Sequence, residues 1–233
     1  VVVAVPASIL PVVQAELTEA VFLPVAETAD GSISLDALDA VTQAASGARA
    51  VAIGPGLSRD AETTSFVREV VRTSPVPLVV DADALNAFAS DTASMADRKA
   101  EAVLTPHGGE LARLLGREPS VDRIADARAL ADASGAVALV KGTRTVVVDR
   151  SDVAYVNPTG STALATAGTG DVLTGTIGGL LARGVEPPAA AWAGAYLHGL
   201  AGLAAGERAG DGTVAGDVAD LLPDAIARVT EDA

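Results

Sequence analysis

Residues 157–171 read NPTGSTALATAGTGD, and a helical run, Asp171–Arg183, takes over from them. Gly168 and Gly170 permit tight backbone turns, so several N–H groups can converge where the helix begins. Such a terminus binds phosphate through amides that lack intrahelical partners and through the positive end of the helix dipole. Asp171 falls in the first turn. By residue type alone it is a charge complement to the helix N-terminus, worth about 0.5 kcal/mol. Beside a phosphate nest a carboxylate is unfavourable unless it has a task. Accepting a proton from a hydroxyl that attacks the phosphate is such a task.

Upstream of this stretch, short apolar runs ending in turn residues alternate with helical patterns. Strands are read at Val1–Val5, Ala20–Pro24, Ala50–Ile53, Pro77–Val80, Ala102–Leu104, Val137–Val140, Thr145–Val148 and Val153–Val156. Helices are read at Leu35–Ala45, Asp60–Thr73, Glu110–Leu115 and Asp122–Ser134, with another beginning at Asn86–Ala89. Lys141–Arg144 joins its flanking strands as a hairpin-like pair. Downstream come Asp171–Arg183, Ala189–Gly206 and Val214–Val229, the last interrupted near Pro223. His198 is read as a packed helix histidine and Trp192 as a core residue. Repeated β-then-α units with near-continuous apolar strands predict an α/β fold, a mainly parallel sheet with helices on both faces. No linker or low-complexity run divides the sequence, so residues 1–233 are expected to form one domain.

Composition excludes several function classes. The 233 residues contain no Cys, which removes disulfides, Cys-containing zinc sites and thiol nucleophiles. His107 and His198 are the two histidines, too few for a multi-histidine metal site. An aromatic content of 3% argues against base-stacking platforms, and a net charge of −14 against a nucleic-acid or anionic-membrane binder. No stretch is apolar and long enough to cross a membrane. Val1–Val13 carries Pro6 and Pro11 and no basic leader, a poor signal peptide, so the expected location is cytoplasmic. The opening VVVAVP reads as a strand already under way, and a preceding segment is expected. Two lysines, Lys99 and Lys141, stand against fourteen arginines. Coding bias or salt adaptation explains that skew, yet a lysine kept inside a Gly-containing turn draws notice.

In an open α/β sheet, ligands bind beyond the carboxyl ends of the strands. Four segments leave strands into Gly, Asp, His or Thr: Gly54–Leu57, Asp81–Asn86, Thr105–Glu110 and Lys141–Thr145. Parallel strands would put all four on one edge, forming a polar cleft. Each residue keeps two readings. His107 is a ligand contact or a turn histidine; Lys141 is a phosphate contact or a solvated strand-end charge. Asp81 and Asp83 cap turns or act on a metal or substrate, and Glu110 is a first-turn acid of its helix.

Gly168-Thr169-Gly170-Asp171 before a Gly-rich helix resembles the GxGD anion hole and base of the ribokinase-like superfamily. The longer string GTGDVLTGTIGGLLARG at 168–184 is more specific. It is joined by GPGL at 54–57, DADALN at 81–86, TPHGGELARLLG at 105–116, VKGTRTVV at 140–147 and YLHGLAG at 196–202. Together they resemble the ADP-dependent NAD(P)H-hydrate dehydratase family over residues 51–202. Three positions depart from its pattern: Gly108 replaces the proline of His-Pro-Gly-Glu, Ser161 ends the Asn-Thr-Gly-Asn pattern, and Ser58 replaces the glycine after GPGL.

The resemblance implies a ribokinase-like fold and repair of NADH or NADPH whose ring has added water at C6 (the S epimer). The ring hydroxyl is phosphorylated and phosphate is then eliminated. Asp171 would be the base, with the amides of Ala167, Gly168, Thr169 and Gly170 as the anion hole. Lys141, Gly142, Thr143, Arg144 and Thr145 would contact the nucleotide, with Gly170 against it. Gly54, Gly56, Asp83, Asn86, His107 and Asp171 would line the hydrated-nicotinamide side. ADP is the implied co-substrate, with Mg²⁺ bridging its phosphates and few direct protein ligands. A homo-oligomer, a tetramer among the arrangements, and an NAD(P)H-hydrate epimerase fused to or working with the chain are implied partners. The family domain normally begins with a strand and Gly-rich turn before the position of Val1, and part of the substrate pocket is expected from there. The alternatives are a ribokinase-like small-molecule kinase, for example of a vitamin precursor alcohol, and a catalytically silent nucleotide-binding protein.

Overall fold

Leu78-Val79-Val80 and Ala102-Val103-Leu104 are wholly buried, as strands covered on both faces must be. They lie at the heart of the sheet in a computed structural model that describes residues 1–151 and 153–231. Strands β1 (Val2–Pro6) and β2 (Val21–Val25), linked through helix α1 (Leu10–Glu16), pair in parallel as a separate two-stranded sheet. After α2 (Leu38–Ser46), the main sheet takes β3 (Val51–Ile53), β4 (Leu78–Val80), β5 (Ala102–Leu104), β6 (Val137–Val140), β7 (Val146–Val148) and β8 (Ala154–Val156) in that order. β3 to β6 run parallel; β7 runs antiparallel to β6, and β8 antiparallel to β7. The carboxyl ends of β3 to β6 therefore share one edge.

Alternation along the strands separates two cores. Leu78, Val80, Leu104, Ala138 and Val140 pack toward α3 (Ala61–Thr73), α4 (Ala82–Asn86), α5 (Gly108–Leu115) and α6 (Arg123–Ser134). Helix α3 begins at Asp60, whose carboxylate accepts the amides of Glu62 at 2.8 Å and Thr63 at 3.0 Å. It turns Phe66, Val67, Val70 and Val71 inward, a helical stripe. Val79, Val103, Leu139 and Val147 face the other way, onto α7 (Thr169–Ala182) and α8 (Pro187–Ala209). A Cβ on Gly194 would lie 2.6 Å from Ile177, so glycine lets α8 approach α7 closely. Beyond them α9 (Ala215–Asp220) and α10 (Leu222–Glu231) cover Ala201 and Ala205.

The α/β layering with a mainly parallel sheet is as expected. Two local expectations need correction. The helix expected from Asn86–Ala89 is α4, which ends at Asn86; Phe88, Ala89 and Asp91 instead make turn hydrogen bonds, and the Ser90 amide donates to Arg113 O. Trp192 is 41% exposed and stacks on Tyr155, ring centroids 5.9 Å apart, instead of entering the core. The break near Pro223 falls at Leu221, and Pro223 sits at the second position of α10, where no donor is required. Among the described residues no helix is long and apolar enough to cross a membrane.

Candidate active site

The four turns expected on one edge do share it, and Lys141 is the junction between them. Its backbone amide donates to Pro106 O at 2.8 Å, which ties the end of β6 to the turn after β5. Its ammonium donates to Asp81 Oδ1 at 2.7 Å and lies 3.9 Å from Glu110 Oε2. The Lys141 side chain is only 19% exposed, so the solvated strand-end reading fails. Asp81, 1% exposed, precedes α4 yet caps nothing with its side chain. Its second oxygen, Oδ2, accepts the Thr174 hydroxyl at 2.7 Å. Both carboxylate oxygens are thus satisfied, as burial of a charge requires.

The start of α7 closes over this pair. Gly168, at φ +86°, is its N-cap, and no side chain caps the first turn. A Cβ on Gly170 would come 3.4 Å from Lys141 Nζ and 3.9 Å from Asp81 Oδ2, so the backbone at this position rests on the ion pair. The Thr169 hydroxyl donates to Leu164 O and Thr166 O at 2.7 and 2.8 Å, fixing the approach to the helix. Ala167 lies in that approach, in the turn that Gly168 closes. Asp171 stands exposed beside it. Partial desolvation of its carboxylate where it adjoins the cleft, and then the negative Asp81, raise its pKa above the ordinary aspartate value, while Lys141 draws it back down.

The remaining predicted residues surround this centre. Gly54 (φ +138°) passes so close to the next turn that a Cβ would sit 1.8 Å from the Asp81 carbonyl oxygen; Gly56 (φ +71°) has open space around it. Asp83 Oδ2 accepts the Ser58 amide at 3.0 Å and Oδ1 accepts Asn86 Nδ2 at 3.3 Å, tying the Gly54–Leu57 turn to α4. Arg113 Nε in turn donates to Asn86 Oδ1 at 2.7 Å. Ser58 occupies φ +70°, where glycine is favoured, and its hydroxyl pairs with that of Ser32 at 2.7 Å. His107 is the N-cap of α5: Nδ1 accepts the Gly109 amide at 3.0 Å, and Glu110 Oε2 accepts the His107 amide at 2.8 Å. The imidazole remains more than half exposed at the cleft. Gly142, Thr143, Arg144 and Thr145 form the turn beyond Lys141, outside the network around Asp81.

Sequence reading did not single out Thr174, whose hydroxyl reaches Asp81. Thr174 follows Gly170 by four positions, the spacing of one helix face, and that was the available signal. His198 is 7% exposed within α8 and neutral: burial lowers its pKa to about 4, with Lys141 adding to the shift and a Thr169 backbone hydrogen bond opposing it.

Asp81, Glu110 and Asp171 against one ammonium leave the cleft short of positive charge. Among the described residues no three carboxylates or histidines converge to cage a metal. That donor set suits a divalent cation held mainly by a ligand's phosphates.

A family model described as NAD(P)H-hydrate dehydratase matches residues 2–224. The bifunctional NAD(P)H-hydrate repair enzyme Nnr of Moorella thermoacetica is 44% identical over 233 residues, covering 98% of this chain and 44% of that protein. The chain thus spans less than half the length of this relative. An ADP/ATP-dependent NAD(P)H-hydrate dehydratase from Bacillus subtilis, co-crystallised with ATP/Mg²⁺, superposes with TM-score 0.79 at 30% identity, covering 97% of this chain and 78% of that one. A ribokinase-like superfamily protein from Enterococcus faecalis superposes with TM-score 0.79 at 24% identity, covering 97% of this chain and 76% of that one, so the fold is ribokinase-like.

Proposed function

The chain belongs to the NAD(P)H-hydrate dehydratase family, and from that premise we propose that it converts C6-hydrated NADH or NADPH (the S epimer) back to the reduced cofactor at the expense of ADP. The observation that carries this reading is the uncapped, glycine-led start of α7 beside Asp171, resting on the Lys141–Asp81 pair. An anion hole needs donors preorganised where charge develops, and the amides of Ala167, Gly168, Thr169 and Gly170 would supply them.

Asp171 takes the proton of the ring hydroxyl as its oxygen attacks the terminal phosphoryl group of ADP. The new O–P bond forms, the bridging P–O bond breaks, and AMP leaves. The ring then loses a proton from the neighbouring carbon, the C6–O bond breaks, and inorganic phosphate departs with that bonding pair as the double bond returns. A raised pKa makes the Asp171 carboxylate a better proton acceptor. Lys141, Gly142, Thr143, Arg144 and Thr145 hold the nucleotide, with Gly170 against it. Gly54, Gly56, Asp83, Asn86 and His107 shape the nicotinamide side. Magnesium, when bound with the nucleotide, would supply charge neutralisation that one lysine among three carboxylates cannot; Asp81 and Glu110, both within 4 Å of Lys141 Nζ, are the carboxylates it would offset. The cellular setting is cytoplasmic, as a homo-oligomer working with an epimerase that supplies the S hydrate.

The test is incubation with hydrated NADH, Mg²⁺ and ADP while following near-ultraviolet absorbance. Recovery of NADH with release of AMP and phosphate is the expected result. A stable phosphomonoester instead would mean a kinase, and ADP binding without turnover would mean a silent nucleotide-binding protein. Run with ATP in place of ADP, the same assay is expected to be slower; a faster ATP reaction would reverse the nucleotide assignment.

A further inference from the structure

The turn from Gly142 to Thr145 is the part of the nucleotide site outside the network around Asp81, yet Gly142 takes φ +149°, open to glycine, and Arg144 is held at a strained φ of +56°. What holds it lies outside every motif the sequence offers. Arg123, the first residue of α6, reaches across to the turn from the flank. Its Nη1 donates to Thr143 O at 2.5 Å and Arg144 O at 3.0 Å, and its Nη2 donates to Val140 O at 3.0 Å. One guanidinium thus gathers three carbonyls from the turn and from the strand that feeds it. A Cβ on Gly142 would lie 2.9 Å from Arg123 Nη2, so the glycine leaves the room that the guanidinium fills.

Three carbonyl oxygens drawn together make a partially negative spot, the wrong field for a polyphosphate. A planar, permanently charged fork satisfies all three at once and cancels that field. We infer that Arg123 is the positioning residue of the nucleotide turn, holding Val140, Thr143 and Arg144 carbonyls so that Lys141 and the turn meet the phosphates of ADP. The inference rests on the nucleotide reading of residues 141–145. It assigns Arg123 no contact with the transferring phosphoryl group, so its effect belongs to nucleotide binding.

Arg123→Ala and Arg123→Lys, compared with the parent protein, test this by ADP titration calorimetry, steady-state kinetics and amide exchange. Arg123→Ala is expected to weaken ADP binding and raise the KM for ADP about tenfold, the scale of losing charge-assisted hydrogen bonds, with kcat nearly retained. Exchange of the 141–145 amides should quicken. Arg123→Lys should recover only part of the affinity, because a single ammonium cannot span three carbonyls. Thermal melts identify a variant that fails to fold, and Arg123→Lys then carries the test. If the parent binds ADP and the variants bind it equally well, Arg123 has no such role; a fall in kcat at unchanged KM also overturns it. If the parent protein itself binds no ADP, the nucleotide reading of the turn is what fails.

Discussion

Lys141 and Asp81 meet at 2.7 Å across sixty residues of sequence, on a carboxylate that is 1% exposed. Removing one partner of a buried pair leaves an uncompensated charge, typically at a cost of 3–5 kcal/mol. Lys141→Ala is therefore expected to lose about 3 kcal/mol in urea unfolding. The double variant Lys141→Ala with Asp81→Asn should regain part of that, because no charge is then stranded. Additive losses would show that the two side chains act separately.

Asp171→Asn should abolish turnover while leaving ADP binding intact or slightly tighter, since a negative charge beside phosphate is removed. It should also change stability in a defined sense. The folded-state pKa of Asp171 is raised, so the carboxylate disfavours folding above that pKa and costs nothing below its unfolded value of 3.8. The variant should melt higher than the parent at neutral pH, and the difference should shrink as pH falls toward 3.8. Retained turnover would remove Asp171 from its role as base.

His198 supplies the opposite slope. Its pKa falls from 6.5 unfolded to about 4 in the buried site, so the unfolded chain takes up the proton first as pH drops. The penalty is absent above 6.5 and grows to about 3 kcal/mol once pH passes below about 4. Denaturant midpoints measured across that window should slope less for His198→Asn than for the parent. Equal slopes would mean that the imidazole is not held neutral.

Two glycines two residues apart should behave differently. Gly54→Ala drives a Cβ to 1.8 Å from the Asp81 carbonyl oxygen at φ +138°, a backbone collision that no rotamer relieves. It is expected to cost more than about 3 kcal/mol or to prevent folding. Gly56→Ala meets nothing within 4 Å and carries only the left-handed backbone penalty, about 1 kcal/mol. Paired thermal melts distinguish the two; similar losses would contradict the close approach at Gly54.

Strands such as Ala102–Leu104 and Val137–Val140 were legible because a short apolar run bounded by turn residues has one comfortable reading on a buried sheet. The edge on which their turns meet followed from parallel pairing. Helix α4 was misplaced because Ala82, at φ +47°, begins it in a conformation its residue type does not signal. Trp192 was assigned to the core because α8 is so rich in Ala and Gly that no polar stripe marks its outer face. Gly168–Asp171 announced itself through local turn chemistry. Thr174 and Arg123 did not, because their partners lie 93 and about 20 residues away and only tertiary packing brings them near. Asp81 could be recognised as a turn residue, but which way its carboxylate pointed was decided by Lys141 and Thr174.

The position of that carboxylate bears on when the cleft comes into being during folding. Asp81 follows β4, Lys141 follows β6 and Thr174 belongs to α7, so the contact is complete only after distant segments have docked on the sheet. A partly assembled chain has the same local glycine turns and the same helix sequences, but no preformed seat for a nucleotide. Ligand that binds only the finished arrangement then acts as a thermodynamic lock: each hundredfold excess over Kd adds about 2.7 kcal/mol against unfolding. The nucleotide supply would thereby set the lifetime of the folded protein as well as its rate of turnover.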